Sequence, residues 1–375
     1  MSTPSVAAIE AALGTVLDPE LRRPITELGM VKNIEVNHDG DVHLGIYLTI
    51  AGCPKKEDIV ETSRAAIARV PGVGSVAVEL DVMSPAQRAA LTEALRGNKS
   101  RENPFASPDS LTKVIAVASG KGGVGKSSVA VNLAAAMARD GLKVGIIDAD
   151  VYGFSIPGLL GIHQKPTRLD DMILPPVAFD IKVISIGMFL DANKPVAWRG
   201  PMLHRALEQF TKDVYFGDLD VLLLDLPPGT GDIAISVSQL LPHSEIVVVT
   251  TPQLAASSVA QRAGAVAAQT GQRVVGVIEN MAGLALPDGS MVDVFGAGGG
   301  ADVSRALGRE LGYEIPLIAT IPLEPELRIA GDSGTPMVIA APNSPAAVEL
   351  HKAARTLAGR PRGLAGRKLG VSPKN

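Results

Sequence analysis

The sequence has little cysteine, few aromatic residues and no long apolar run. Its 375 residues include one cysteine, Cys53, so an internal disulfide is excluded, which is typical of a protein in a reducing compartment. Aromatic residues make up 3% of the chain, whereas glycine (39) and proline (27) are frequent. This composition favours an aliphatic α/β core over a β-sandwich or barrel. No apolar run approaches the roughly 18 residues of a membrane span.

The charge balance gives no general affinity for polyanions. The formal net charge is −4, so no overall attraction draws the chain to nucleic acid or anionic lipid. The first ten residues lack the basic-then-apolar pattern of a secretory signal. We therefore expect a cytoplasmic protein that binds no nucleic acid and forms no stable association with membranes. With 46% hydrophobic residues, wholesale disorder is excluded, and the length suits two or three domains of about 100–200 residues.

Residues 1–95 have the pattern of a small α+β domain. Alternating apolar residues on both sides of the turn signal at Asp39–Gly40 predict a β-hairpin. A third alternating segment and three helical patterns complete the domain. The predicted helices lie at 6–16, 55–69 and 85–95, and the predicted strands at 31–36, 42–50 and 76–82.

A change in pattern separates this domain from the rest of the chain. Residues 96–110 are polar, contain Gly97, Pro104 and Pro108, and predict a linker. From 111 to 355, continuous apolar runs alternate with helical stretches, which indicates a mostly parallel sheet covered by helices on both faces. The predicted strands lie at 114–118, 144–147, 183–186, 221–224, 246–249, 274–278 and 317–321, and the predicted helices at 128–139, 202–213, 254–269 and 302–311.

The chain ends in a basic segment. Residues 352–375 carry seven Lys or Arg residues, no Asp or Glu, and several glycines that disfavour a stable helix. We expect residues 356–375 to form a flexible, solubilising tail. Contact of this tail with nucleic acid or lipid is the less favoured alternative.

The strongest functional signal is a glycine-rich loop between a predicted strand and a predicted helix. Residues 120–127, GKGGVGKS, fit GxxxxGK(S/T) at every required position. Glycines allow backbone N–H groups to turn towards phosphate oxygens, and the helix N-terminus adds partial positive charge. Lys126 is expected to neutralise the β- and γ-phosphates and Ser127 to ligate Mg²⁺. The predicted nucleotide ligands in the loop are Gly120, Lys121, Gly122, Gly123, Val124, Gly125, Lys126, Ser127 and Ser128.

Three aspartates follow predicted strands of the same sheet. Asp148 and Asp150 follow one strand, and Asp225 ends another. A carboxylate at the carboxyl edge of a parallel strand beside a phosphate loop suits Mg²⁺ or an attacking water. The apolar run before Asp225 favours a role beside the metal over a helix cap. The spacing alone does not choose between Asp148 and Asp150 as the catalytic residue.

The second lysine of the loop, Lys121, makes it resemble the deviant Walker A motif of MinD/ParA-type ATPases, a class that includes nitrogenase iron protein and arsenical-pump ATPases. The resemblance implies a homodimer in which Lys121 reaches the nucleotide of the facing subunit and stabilises transition-state charge, as an arginine finger does. It also implies that Asp150 orients or deprotonates the attacking water, so that Lys121, Lys126 and Asp150 are catalytic. Asp225 would hold Mg²⁺ through its shell.

Further segments resemble the Mrp/ApbC family of iron–sulfur cluster carriers. The resemblance covers about residues 5–345 in matching order, including an iron–sulfur-assembly domain that is fused to many members. It implies ATP and Mg²⁺ as cofactors and Asn280 as a candidate adenine contact. The matching segments are DPE at 18–20, ELGMV at 27–31, TIAGCP at 49–54, DLPPGTGD at 225–232, ENM at 279–281 and FGAGGG at 295–300.

The chain departs from this family in its cysteines. Members usually carry a CxxC pair shortly after the ENM segment, and a dimer uses two pairs to hold a bridging 4Fe–4S cluster. Leu286 and Gly289 stand at the expected cysteine positions. Such a cluster normally needs four thiolates, whereas a dimer of this chain has two, both Cys53. Either Cys53 holds a labile cluster with outside ligands, or the protein acts in cluster maturation without carrying one.

Cys53 itself has a functional and a structural interpretation. It precedes Pro54 and a predicted helix, whose N-terminus would lower the pKa of the thiol and favour the thiolate. The alternative is a small buried apolar residue. The resemblance of Gly-Cys-Pro to the assembly domain favours the functional interpretation.

Together the patterns predict a slow ATPase that assembles or carries iron–sulfur clusters, with assembly factors and apo-protein clients as partners. One alternative is a MinD/ParA-like positioning switch, whose ATP-bound dimer binds membrane or DNA. This alternative is less favoured for two reasons. The C-terminal tail lacks the apolar stripe of a membrane-binding helix, and a positioning switch does not account for the N-terminal domain. The other alternative is a nucleotide-gated scaffold with negligible hydrolysis.

Overall fold

The predicted helices and strands that lie within the described residues appear in the predicted order in the computed structural model, together with shorter elements and helices that were not predicted. The structure describes residues 3–96, 102–151, 153–190, 200–229, 232–253, 262, 267–286, 288 and 290–359. The helices are α1 Val6–Leu13, α2 Lys56–Ile67, α3 Pro85–Arg96, α4 Lys126–Arg139, α5 Ile156–Leu159, α6 Gly200–Asp213, α7 Asp232–Leu240, α8 Gly299–Leu311, α9 Pro325–Asp332, α10 Met337–Ala340 and α11 Pro345–Ala358, with a 3₁₀ turn at Ile186–Phe189. The strands are β1 Val31–Val36, β2 Val42–Leu48, β3 Val76–Val82, β4 Lys113–Ala118, β5 Val144–Asp148, β6 Thr167–Leu169, β7 Met172–Leu174, β8 Val177–Ala178, β9 Ile181–Ser185, β10 Val221–Asp225, β11 Glu245–Thr250, β12 Arg273–Ala282, β13 Leu284–Ala285, β14 Met291–Val292 and β15 Leu317–Pro322.

The N-terminal domain is a three-stranded sheet with helices. Strands β1 and β2 pair antiparallel, which confirms the predicted hairpin, and β3 pairs parallel with β2. The Ser5 side chain caps α1 by accepting a hydrogen bond from the Ala8 N–H at 3.2 Å. The apolar faces of the helices and of β2 form the core, which includes Ile9, Leu13, Leu44, Ile46, Ile59 and Ile67.

The large domain contains an eight-stranded sheet with the order β15-β12-β11-β4-β10-β5-β9-β8. All neighbouring pairs are parallel except β8 with β9, so the mostly parallel sheet is confirmed. Strand β10 lies between β4 and β5, and its register aligns Asp225 with Val117 on one side and Asp148 on the other. The sheet therefore brings the phosphate loop and the aspartates to one edge.

A hairpin of the large domain packs into the small domain. Leu169, Met172 and Leu174 on β6 and β7 belong to the apolar core of the N-terminal domain. At the same seam, the Thr167 hydroxyl donates a hydrogen bond to Glu20 at 2.8 Å. The sequence patterns did not indicate this hairpin, and its contacts join the two domains through both apolar and polar groups.

The expectation that no helix forms from residue 352 onwards was wrong for residues 352–358. Helix α11 continues to Ala358, because its apolar stripe, which includes Leu350 and Leu357, is fully buried and packs against α4. The first glycine after this stripe is Gly359, where the helix ends. The remaining tail, residues 97–101 of the predicted linker and most of the predicted helix at 254–269 lie outside the described residues. Within the described residues, no helix is long and apolar enough to cross a membrane.

Candidate nucleotide-binding site

The loop between β4 and α4 borders a cavity of about 770 Å³ at the carboxyl edge of the large sheet. Residues 121–128 of the predicted loop line this cavity, and so does Asp150. Gly123 and Gly125 both have φ of +77°, a conformation that glycine adopts without steric cost. A Cβ at Gly125 would overlap the side-chain amide of Asn280. The loop path therefore depends on glycine at these positions and leaves room for phosphate oxygens beside its amides.

A buried carboxylate holds the two polar side chains that start α4. Lys126 Nζ donates to Asp225 Oδ1 at 2.5 Å, and Ser127 Oγ donates to Asp225 Oδ2 at 2.5 Å. Lys126 is 6% exposed and Asp225 is completely buried. Burial raises the pKa of Asp225, and the charge of Lys126 opposes that shift. An ammonium, a hydroxyl and a carboxylate beside the loop amides form a donor set that fits a magnesium-bound nucleotide.

The two aspartates of the β5 loop occupy different environments. Asp150 lines the cavity, and its Oδ1 accepts a hydrogen bond from the Gly153 N–H at 3.0 Å. Asp148 is fully buried and accepts hydrogen bonds from Ser185 Oγ at 3.0 Å, the Asp150 N–H at 3.2 Å and the Ile156 N–H at 3.3 Å. Asp148 thus fixes the loop that carries Asp150, and of the two only Asp150 lines the cavity.

Replacing Asp148 by asparagine is expected to remove a pH-dependent part of the stability. Burial, with the nearby charge of Asp225, raises the pKa of Asp148 to about 7. The folded chain therefore binds one more proton than the unfolded chain between about pH 4 and pH 7, and this group's contribution to the free energy of unfolding is lost as the pH rises through that window. Urea denaturation of nucleotide-free protein from pH 5 to pH 8 measures this effect. The free energy of unfolding of Asp148→Asn, relative to that of the parent, should increase with rising pH. A constant difference would contradict the assignment.

Lys121 has a contact within its own chain that the sequence did not reveal. Its Nζ donates to the side-chain oxygen of Gln253, and Lys121 also lines the cavity. Arg262 donates from Nη1 to the carbonyl of Gly120 at 3.2 Å. Neither Gln253 nor Arg262 lies in a recognisable motif, so no sequence signal pointed to them. The predicted contact of Lys121 with a facing subunit stays a prediction.

The ENM segment, residues 279–281, forms hydrogen bonds with the phosphate loop and with the start of helix α8. Asn280 is 2% exposed, and its Nδ2 donates to the Val124 carbonyl at 2.9 Å. Glu279 Oε2 accepts a hydrogen bond from the Gly300 N–H at 2.5 Å. A carboxylate at the start of α8 is favourable because that end carries partial positive charge. These contacts give the segment a structural role, and an adenine contact by Asn280 stays a prediction.

The expectation that a helix N-terminus lowers the pKa of Cys53 was wrong. Cys53 is 5% exposed and lies in the apolar core of the N-terminal domain. Burial raises the pKa of its thiol to about 11, and the charges of Glu20, Asp18 and Asp58 add to the shift. Helix α2 begins only at Lys56. Among the described residues no group of three or more His, Cys, Asp or Glu side chains could hold a metal ion.

The position of the expected CxxC lies beside a short hairpin. Strands β13 and β14 pair antiparallel there, and Leu286 is 37% exposed. Gly289 lies outside the described residues. Because a leucine side chain cannot ligate iron, the Leu286 position offers no cluster ligand.

Comparisons with known proteins agree with this geometry. Residues 110–358 match a family model described as NUBPL iron-transfer P-loop NTPase, and residues 6–80 match one described as iron-sulfur cluster assembly protein. The chain is 62% identical to the iron-sulfur cluster carrier protein of Mycobacterium bovis, over 98% of this chain and 97% of the relative. It is 44% identical to that of Deinococcus radiodurans, over 94% of each chain.

A solved structure gives a further comparison. The nucleotide-binding protein in complex with ADP from Archaeoglobus fulgidus is 36% identical and has a TM-score of 0.53, over 63% of this chain and 91% of that chain. The family match spans the whole P-loop domain, including the strand, loop and helix that border the cavity. The chain therefore belongs to the family of iron-transfer P-loop NTPases and carries an N-terminal iron–sulfur cluster assembly domain.

Proposed function

We propose that the protein is an ATP-hydrolysing iron–sulfur cluster carrier, which acts as a cytoplasmic homodimer and loads clusters onto apo-proteins. The observation that carries the proposal is that the phosphate loop, Lys126, Ser127 and Asp150 line one cavity, with the buried Asp225 hydrogen-bonded to Lys126 and Ser127. The relatives named as iron–sulfur cluster carriers support the cargo. The single cysteine supports a reducing location.

The residues of the cavity divide the nucleotide chemistry between them. The amides of the loop and Lys126 Nζ would neutralise the phosphate oxygens, and Ser127 with Asp225 would hold Mg²⁺, which supplies positive charge at the phosphates when bound. Asp150 would orient the attacking water. Lys121 of the facing subunit would stabilise the charge that develops during hydrolysis, which makes the rate depend on dimerisation.

The cluster is cargo, and its ligands come largely from outside the chain in this proposal. Four thiolates are normally required, and the buried Cys53 thiol is protonated at neutral pH because its pKa is about 11. Small thiols, assembly factors or apo-protein clients would supply the thiolate ligands. Residues 6–80 match the assembly-protein model. This match supports a function in cluster assembly over one as a positioning switch, because a positioning switch does not need such a domain.

Anaerobic reconstitution tests the cargo. Protein incubated with iron, sulfide and glutathione is expected to retain both elements after gel filtration and to pass them to an apo-ferredoxin. Because Cys53 is buried in the core, Cys53→Ser is expected to retain as much iron as the parent. Loss of iron from this variant with unchanged thermal stability would contradict the outside-ligand account. Failure of the parent to retain or transfer any sulfide would contradict the carrier function.

A further inference from the structure

A second large cavity lies between the two domains, at the edge of the large sheet opposite to the phosphate loop. Its volume is about 870 Å³. The large domain contributes residues near the beginnings of β5, β9 and β10, whereas the phosphate loop follows the end of β4. The N-terminal domain contributes Arg22, Arg23 and Arg96. The cavity is therefore separate from the nucleotide site and exists only where the domains meet.

Lys182 is a buried cation in this cavity. It is 7% exposed, and its Nζ donates a long hydrogen bond of 3.4 Å to the carbonyl of Tyr215 and lies 4.6 Å from the centre of that ring. Among the described residues, no carboxylate oxygen forms an ion pair with Nζ. Burial and the charge of Arg22 lower the pKa of Lys182 to about 8, and Asp18 partly opposes the shift. An ammonium group in this setting destabilises the fold unless a negative charge joins it.

The lining of this cavity, Lys182 included, contains more positive side chains than negative ones. The cavity lining contains five cationic side chains and two acidic ones. Arg22 pairs with Asp180, which is one of the two acids, whereas Arg23 and Arg96 pair with carboxylates outside the lining. The cationic residues are Arg22, Arg23, Arg96, Lys143 and Lys182, and the acidic ones are Asp180 and Asp218.

A glycine leaves space beside the Lys182 ammonium group. Gly217 has φ of +65°, and a Cβ built there would lie 3.7 Å from both Lys182 Nζ and the Tyr215 hydroxyl. Arg23 lies close enough to this phenol for its charge to oppose the rise that burial causes in the pKa of Tyr215. Any longer side chain at 217 would extend towards this group of polar atoms. The open space, the phenol and the cations thus lie together.

We propose that the interdomain cavity binds a small anion that carries a phosphate group, with Lys182 as its central ligand. Guanidinium groups form paired hydrogen bonds with phosphate oxygens, and a lysine adds a point charge. Arg22 and Arg23 come from the N-terminal domain, and Lys182 comes from the large domain. A phosphate held by all three would join the two domains. This binding site goes beyond the proposed ATPase and cluster-carrier functions and does not depend on them.

Calorimetric titration of the full chain with inorganic phosphate and with glucose 6-phosphate tests the proposal. The phosphate loop is first inactivated by Lys126→Met with Asp225→Asn, so that binding reports the second cavity. In that background we expect Lys182→Met to weaken phosphate binding by at least about tenfold, and Lys182→Arg by less. The matched control is Lys352→Met, which removes a lysine whose side chain is 64% exposed and should change nothing. Absence of binding at millimolar phosphate, or equal binding by Lys182→Met, would overturn the proposal.

The two titrants distinguish the sources of the phosphate group. Equal affinity for both identifies free phosphate as sufficient, and tighter binding of glucose 6-phosphate shows that the organic part also contacts the cavity.

Thermal denaturation separates ligand binding from a structural role. Without added anion, Lys182→Met is expected to be at least as stable as the parent, because methionine fills the space without a buried charge. Phosphate should raise the melting temperature of the parent and not that of Lys182→Met. A lower melting temperature of Lys182→Met in anion-free buffer would show that Lys182 is a structural residue and would contradict the proposal.

Discussion

Replacing Lys126 by methionine is expected to lower the affinity for ATP at least about a hundredfold and to destabilise the fold at the same time. The loss of affinity follows because, in the proposed binding mode, this buried ammonium group would face the phosphates. The loss of stability follows because Asp225, which is completely buried, loses its ion-pair partner at 2.5 Å. Breaking a buried pair from one side costs about 3–5 kcal/mol. Fluorescent-nucleotide titration and urea denaturation measure the two effects.

The double variant Lys126→Met with Asp225→Asn separates the two effects. Removing both charges leaves no unpaired buried ion, so most of the stability should return while nucleotide binding stays lost. Normal ATP affinity in Lys126→Met would contradict the assignment of the loop. A single variant as stable as the parent would contradict the buried ion pair.

Replacing Lys121 by alanine is expected to lower the rate of ATP hydrolysis about a thousandfold, which is the lower range for an arginine finger, and to leave ATP affinity nearly unchanged. Among the described hydrogen bonds, the Lys121 side chain contacts only the Gln253 side chain, and the carbonyl that accepts from Ser119 remains in alanine, so the stability should change little. Steady-state phosphate release and nucleotide titration of the same preparation measure the two quantities.

Mixing two inactive variants tests whether Lys121 acts across the dimer. In a heterodimer of Lys121→Ala with Asp150→Asn, one of the two sites combines an intact Asp150 with the intact partner lysine. A freely exchanging equal mixture should therefore recover about a quarter of the parent activity. If Lys121 acted within its own chain, every site would lack one residue, and the mixture would remain inactive.

The sequence predicted the longer strands of both sheets, in their order along the chain, and the phosphate loop because those features are local. Continuous apolar strands, glycines at 123 and 125 and the lysine–serine pair each carry their signal within a few residues. The convergence of Asp225 and Asp148 at one edge followed from parallel pairing, which the apolar runs already indicated. Most residues of the candidate nucleotide-binding site could therefore be predicted from the sequence alone.

Other features depend on contacts between distant segments and could not be predicted. The environments of Asp148 and Asp150 differ because Ser185, on the neighbouring strand, and the Ile156 N–H donate hydrogen bonds to the buried Asp148, whereas Asp150 lines the cavity. The pKa of the Cys53 thiol is set mainly by burial and not by the helix that follows it. Helix α11 persists beyond residue 352 because of its packing against α4, which composition does not reveal.

The central claim is that the loop at 120–128 binds the triphosphate between two copies of the chain. A crystal structure with magnesium and a non-hydrolysable ATP analogue tests it most directly. We expect the phosphates on the loop amides, Ser127 beside the metal, and the partner's Lys121 at the terminal phosphate. Nucleotide bound by another segment, or a bound loop whose terminal phosphate faces solvent with no second chain beside it, would contradict the account.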